Sequence, residues 1–240
     1  MDALLWWHAA KASLQRFVLP FRCLLCGAPG ADGLDLCRDC AIELPRNRRC
    51  CARCALPLPE PAALCGQCQR RPPPWDAAWV PFRYAWPLDR LESRFKFGAD
   101  LAAGRVLSAL WLRESQQIER PDVIVPVPLH RHRLRARGYN QSVELARPLA
   151  RAMRLPLHYT WLQRDRGTTA QTELGAAARH RNVRRAFTTR ADAAWPEHVA
   201  LLDDVMTTGA TLAECARVLR RAGVKRIDVW ALARAPAWRG

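Results

Sequence analysis

The chain has 240 residues, half of them hydrophobic, which excludes a disordered protein and leaves room for one or two domains with a sizeable core. No apolar run approaches the roughly 20 residues of a bilayer-spanning helix. The balance of 38 Lys and Arg against 22 Asp and Glu gives a formal charge of +16, carried almost wholly by arginine because only Lys11, Lys96 and Lys225 are lysines. Such an excess favours polyanions: nucleic acid, phosphorylated small molecules or an anionic membrane surface.

Residues 1–20 read as a short amphipathic helix, with Leu4, Leu5, Trp7, Leu14, Phe17 and Val18 apolar. The segment starts with Asp2 and has no positive region ahead of a short apolar run, so it is a poor signal peptide and a cytoplasmic protein is expected.

A cysteine repeat follows. Cys23 and Cys26 precede Cys37 and Cys40; Cys51 and Cys54 precede Cys65 and Cys68. Each unit is CxxC, ten residues, CxxC, and every cysteine of the second lies 28 positions after its counterpart. Paired CxxC turns suit tetrahedral Zn²⁺ held by four thiolates. Disulfides fit a chain without a secretion signal poorly. A site closed by four thiolates has no open position, so the expected zincs, about two, are structural. Spacing leaves open whether each unit holds its own ion or the pairs cross-brace. Cys50 breaks the register, and Cys215 sits at apolar helical spacing as a core thiol.

Arg71-Pro-Pro-Pro-Trp75 reads as a stiff linker. It places one domain at 1–75, helix plus cysteine repeat, and a second at 76–240. Strand-like runs are expected at 79–86, 123–127, 157–162, 199–202 and 227–231. Helices are expected at 88–97, 101–114, 141–153 and 210–222, the last stopped by Gly223. This alternation predicts an α/β domain with a mainly parallel sheet flanked by helices. Ligands of such sheets bind beyond the carboxyl ends of the strands.

LHRHRLRARG, residues 129–138, places Arg131, Arg133, Arg135 and Arg137 at alternate positions. An extended run puts all four on one face; a helix makes i,i+4 rows of 131/135 and 133/137. Either form gives a positive patch suited to a diphosphate or a nucleic-acid backbone. His130 and His132 read as surface residues, and most tryptophans as core.

Val199–Leu202 is apolar on both faces, as in a central parallel strand. Asp203 and Asp204 come next. Unpaired carboxylates in that layer are too costly, so both are expected to emerge at the strand's carboxyl edge. Thr207, Thr208, Gly209, Ala210 and Thr211 then offer small side chains, hydroxyls and free N–H groups at a helix start, a phosphate cradle. Acceptors for hydroxyls beside donors for a phosphate suit a sugar phosphate.

LLDDVMTTGAT, residues 201–211, resembles the phosphoribosyl-diphosphate (PRPP) motif of type I phosphoribosyltransferases. The resemblance implies that Asp203 and Asp204 contact the ribose hydroxyls. It places Thr207–Thr211 on the 5′-phosphate, counts Val205 and Met206 in the same PRPP-binding segment, and puts Mg²⁺ on the diphosphate and ribose oxygens. The cysteine repeat, Val125-Pro-Val-Pro128, Arg137-Gly-Tyr-Asn-Gln141 and Thr169-Ala-Gln171 through Arg181-Asn182 together resemble the ComF (competence protein F, GntX-like) family over most of the chain. That resemblance implies a type I phosphoribosyltransferase-like domain behind a double zinc ribbon. It puts the diphosphate loop at Pro128 and Leu129 with Arg137, and a mobile flap at 164–182 including Arg164, Thr169 and Gln171. The implied role is handling single-stranded DNA, with DNA-uptake proteins as partners, during natural transformation; Arg131, Arg133 and Arg135 are the nucleic-acid candidates. Phosphoribosyl transfer in nucleotide salvage and a non-catalytic PRPP sensor are the alternatives. No catalytic residue is assigned.

Overall fold

The computed structural model describes residues 20–60, 62–115, 118–165, 183, 185–190 and 194–236. The expected amino-terminal helix lies, but for its last residue, outside them. So do Thr169, Gln171 and the rest of 166–182.

The cysteine repeat folds as two copies of one unit, and its period recurs in the hydrogen bonds. Gly27 N donates to Cys23 O and Ala55 N to Cys51 O, both at 2.8 Å. Leu24 N donates to Asp35 O at 3.0 Å, and Ala52 N to Ala63 O at 2.9 Å. Each unit carries one short helix, α1 (Arg38–Ile42) or α2 (Gly66–Arg70). Cysteine caps both: Cys37 Sγ accepts from Cys40 N, and Cys65 Sγ from Cys68 N, each at 3.5 Å. The sulfurs of Cys23, Cys26, Cys37 and Cys40 lie within 4.8 Å of one another, as do those of Cys51, Cys54, Cys65 and Cys68. Zn–S bonds of about 2.3 Å in a tetrahedron put sulfurs roughly 3.8 Å apart. Cys26 and Cys37 are 3.7 Å apart and Cys54 and Cys65 3.6 Å, so the donor sets fit Zn²⁺. Each unit gathers its own four thiols, which settles the pairing that spacing left open. Cys50 joins neither set.

The rest is a parallel sheet between helices. In chain order the elements are β1 (Ala77–Trp79), β2 (Phe82–Arg83), α3 (Leu88–Phe97), α4 (Leu101–Arg113), β3 (Val123–Pro126), α5 (Arg131–Arg137), α6 (Gln141–Met153), β4 (Leu162–Arg164), β5 (Phe187–Thr189), β6 (His198–Met206), α7 (Ala210–Arg221) and β7 (Arg226–Arg234). The strand order is β1–β7–β6–β3, with β2 also on β7, and every pairing is parallel. The expected strand at 79–86 is split, with Pro81, which has no N–H to give a ladder, between its halves. At 157–162 only Leu157 bridges the sheet, to Ile124. The strand there starts at Leu162 and pairs antiparallel with β5 in a separate two-stranded sheet. The arginine run is helical, capped by His130 and closed by Gly138 at φ 86°.

Two core layers cover the faces of the sheet. Ile124, Ala200, Leu202, Trp230 and Leu232 pack with α3, α4 and α6; Val125, Val199, Leu201 and Val229 pack with α7. Trp79, Trp111 and Trp230 meet at centroid distances of 5.6 and 5.0 Å. Large buried side chains contribute about 1.5–3 kcal/mol each. Cys23, Leu36, Cys37 and Leu44 of the first unit extend one layer, and Ala55, Cys50 and Cys54 of the second extend the other. Cys215 is fully buried in α7, where burial pushes its thiol well above the usual range. Among the described residues no helix is long and apolar enough to cross a membrane.

Metal analysis of purified protein is expected to find about two Zn²⁺ per chain. Cys51→Ser with Cys54→Ser should reduce this to about one. It should also lower the melting temperature, because a structural zinc supplies apparent free energy of about 10–16 kcal/mol. Retention of both ions by that variant would refute the assignment of one ion per unit.

Candidate functional site

β6 does not end where its apolar run ends. It continues through Asp203 and Asp204 to Met206, so the acids lie inside the strand rather than emerging from it. Asp204 is 5% exposed. It is tolerated because it is paired, as a buried charge must be. Its Oδ2 lies 2.8 Å from Lys96 Nζ and accepts from Gln141 Nε2 at 3.0 Å. Asp203 Oδ1 accepts from Ser142 Oγ and from Asp204 N, both at 3.0 Å.

Lys96 was not singled out from the sequence. It belongs to the last turn of α3, 3.1 Å from the buried Glu92 one turn earlier, and so bridges two carboxylates. The available signal was its identity, one of three lysines in an arginine-rich chain. A compact ammonium on a flexible stem serves two acids in a tight space, whereas a guanidinium needs a planar fork.

The two acids are electrostatically unequal. Burial would raise Asp204, but Lys96 and three hydrogen bonds outweigh it and hold the carboxyl below its usual value. Burial and then the Asp204 charge push Asp203 up to about 7. Burial would lower Lys96, but Asp204 and Glu92 hold it protonated. Burial dominates at Glu92 and raises it despite Lys96. One carboxylate is thus ionised and its neighbour exchanges a proton near neutrality, and both are hydroxyl acceptors.

Beyond Met206 the chain turns at Thr207 and Thr208 into α7. Thr208 Oγ1 accepts from Ala210 N at 3.3 Å. Gly209 has φ 74°, and a Cβ there would lie 3.1 Å from the Trp75 ring and 3.2 Å from Met206 Cε. Only glycine suits both the left-handed backbone and that contact. The start of α7 adjoins this loop, and the positive end of its helix dipole favours an anion there. Buried Arg234 at the end of β7 ties the loop down. Its Nη1 donates to Met206 O at 3.1 Å and to Thr207 O, and its Nε donates to Cys54 O at 2.9 Å. The second cysteine unit therefore braces the loop through Arg234 and Trp75.

Arg137-Gly-Tyr-Asn-Gln141 brings a third element to the acids. Gly138 stops α5, and Tyr139 packs on Phe95 at 5.3 Å. The Asn140 side chain caps α6 and donates to Val127 O at 3.1 Å, placing Gln141 and Ser142 over the acid pair. Pro128 and Leu129 form a half-buried loop leading to α5. Arg131 and Arg135 are exposed, while Arg133 and Arg137 are half-buried. Arg164, at the end of β4, lies 5.3 Å from the Phe187 ring and is lowered by burial and by Arg133. His130 is lowered by desolvation and by Arg164 and Arg131, which marks a positive field on this rim. Among the described residues the only groups of three or more metal-capable side chains are the two cysteine sets.

Residues 14–69 match the family model of the double zinc ribbon domain. Competence protein F of Haemophilus influenzae is 37% identical over 174 residues, covering 69% of this chain and 76% of its own. DNA utilization protein YhgH of Escherichia coli K12 is 35% identical over 227 residues, covering 90% and 98%. The chain belongs to the ComF family. A solved glutamine PRPP amidotransferase from B. subtilis is 22% identical and covers 53% of this chain and 25% of its own, with a TM-score of 0.37, too slight a likeness to argue from.

Two predictions follow for this ComF-family fold. Asp203 has its folded value raised above the unfolded 3.8 to about 7. Its contribution to stability is thus complete below the unfolded value and is lost as pH rises to about 7. Asp203→Asn keeps the acceptor for Ser142 and removes the charge. It should raise the melting temperature at pH 8 by about 5 °C, from roughly 2 kcal/mol, and by less at pH 5.5. An equal shift at both pH values would contradict the raised carboxyl. Arg234→Leu orphans the carbonyls of Cys54, Met206 and Thr207 and should cost about 3 kcal/mol. Hydrogen exchange should then rise together around residues 51–55 and 205–211; exchange confined to one segment would break the proposed brace.

Proposed function

We propose that the chain binds PRPP at the carboxyl end of β6 and acts on single-stranded DNA during its uptake. The observation that carries the PRPP half is the junction of two paired acids, a glycine loop and a helix start. Asp203 and Asp204 accept the ribose hydroxyls, Thr207–Thr211 cradle the 5′-phosphate beyond Val205 and Met206, and Mg²⁺ arrives with the diphosphate. Pro128 and Leu129 form the diphosphate loop, Arg137 and Arg164 supply its positive rim, and Thr169 and Gln171, outside the described residues, are the flap candidates. Residues 1–75 serve as a structural unit bracing the ligand-binding unit at 76–240.

The DNA half rests on the printed names of the relatives, competence protein F and DNA utilization protein. It rests also on charge: residues 76–240 hold 28 of the basic and 16 of the acidic side chains, net +12. Arg131 and Arg135 are the exposed members of the α5 patch, with Arg133 between them.

Calorimetry with PRPP and Mg²⁺ tests the first half. Binding is expected for the wild type. It should fall at least tenfold for Asp203→Asn with Asp204→Asn, variants that keep the shape of the buried network. Equal affinity would refute the site. Diphosphate release with candidate acceptors reads any turnover in the same samples. Replacing Arg131, Arg133 and Arg135 by Gln should shallow the log–log salt slope of single-strand binding by about 1.4–2, at roughly 0.7 per lost phosphate contact. Sequence preference should stay unchanged.

A further inference from the structure

A second positive surface lies away from the acid pair. The last turns of α7, the segment Pro73–Asp76 with Trp75, and Arg53 of the second cysteine unit border an open surface cleft of about 460 Å³. Four arginines line it, Arg53, Arg217, Arg220 and Arg221, against one carboxylate, Asp76. Arg220 is used by the fold: it pairs with Asp76 and donates to Val224 O and Lys225 O. Arg217 is paired with Glu214 at 3.0 Å but is 52% exposed. Arg53 and Arg221 have no carboxylate partner among the described residues; each donates only to a carbonyl, Trp75 O or Arg217 O, at 3.2 Å.

Helix polarity favours cations near the end of α7 and accounts for Arg220 and Arg221. It does not account for Arg53, which comes from the other unit of the chain, or for the concave wall the two sides make together. Arg53 is also held in place before any ligand arrives. Trp75 Nε1 donates to Arg53 O while the Arg53 guanidinium donates to Trp75 O. Two fixed guanidiniums without countercharge, in a cleft with a stiff proline wall, suit phosphate oxygens. Arg221 lies near the far end of α7, whose 12 residues rise about 18 Å from the Thr207–Thr211 loop, while Trp75, which also lines the cleft, packs against that loop at Gly209.

We infer that this cleft seats backbone phosphates of single-stranded nucleic acid, with Arg53 and Arg221 as the principal contacts. The inference rests on the DNA half of the proposed function and is independent of the PRPP half. It gives the second zinc ribbon a place in binding as well as in bracing.

The test uses full-length, zinc-loaded protein and a fluorescein-labelled oligothymidylate of about 20 residues, titrated by anisotropy between about 50 and 200 mM salt. Arg53→Gln with Arg221→Gln is the variant, accepted only with unchanged zinc content and melting temperature; Arg221→Gln alone, fully outside the ribbon, replaces it otherwise. The double variant should shallow the salt slope by about 1.4, and the single one by about 0.7. Calorimetric PRPP binding of Arg221→Gln should stay as in the wild type. Wild-type binding that either accepted variant leaves unchanged in affinity and slope overturns the cleft alone. Failure of the wild type to bind the strand at low salt overturns both the cleft and the DNA half of the proposed function. Inorganic phosphate or diphosphate is the second probe. If either binds the wild type as tightly as the strand does, and the variant loses that binding, the cleft is a free-phosphate site and the strand assignment falls.

Discussion

Two adjacent carboxylates near the end of a buried parallel strand are the constraint around which the site is assembled. Successive side chains of a strand face opposite sides, so Asp203 and Asp204 cannot share one solution. Asp204 needs a buried cation, and Lys96 supplies it from α3. Lys96 in turn is held by Glu92, and Gln141 completes the set from α6. Asp203 is left with Ser142 and a raised value. Removing one member of such a buried set leaves a charge without its partner, which costs about 3–5 kcal/mol. The network therefore fixes how α3 and the start of α6 approach β6, and with them one whole layer of the core.

The cysteine units are built into the same arrangement. An 18-residue unit cannot bury a useful core alone, yet each unit here lends apolar side chains to one face of the sheet. Metal ligation supplies folding free energy that local packing cannot. The second unit passes it on, since Cys54 O anchors Arg234 and Trp75 blocks any side chain at position 209. The loop between β6 and α7 is thus held on one side by the sheet and on the other by a metal-dependent unit.

Charge is divided in the same way. Inside, positive groups are matched: Lys96 by two acids and Arg234 by carbonyls. Outside, on α5 and in the cleft beside Arg53, cations outnumber acids. The +16 total is therefore a statement about surfaces, where polyanions are met, and not about the core.

Much of this was legible in the sequence. The 28-residue cysteine register marked all eight thiolate ligands, because metal ligation is local, but only the folded chain decided that each unit gathers its own four. Apolar periodicity found α3, α4, α6 and α7, and the small-residue run after the acids marked the loop, because glycine and helix caps act over a few residues. Other features were decided only by the tertiary structure. β6 and β7 run past their apolar stretches, because Lys96, Gln141 and backbone carbonyls satisfy Asp204 and Arg234 from distant segments. Those partners lie 108 and 63 residues from Asp204 and up to 180 from Arg234, beyond any local pattern. The same reason hid Lys96 and the pairing of Arg53 with α7. A hydrophobic pattern records what a side chain avoids, and only the folded chain brings together the partner that lets a charge stay buried.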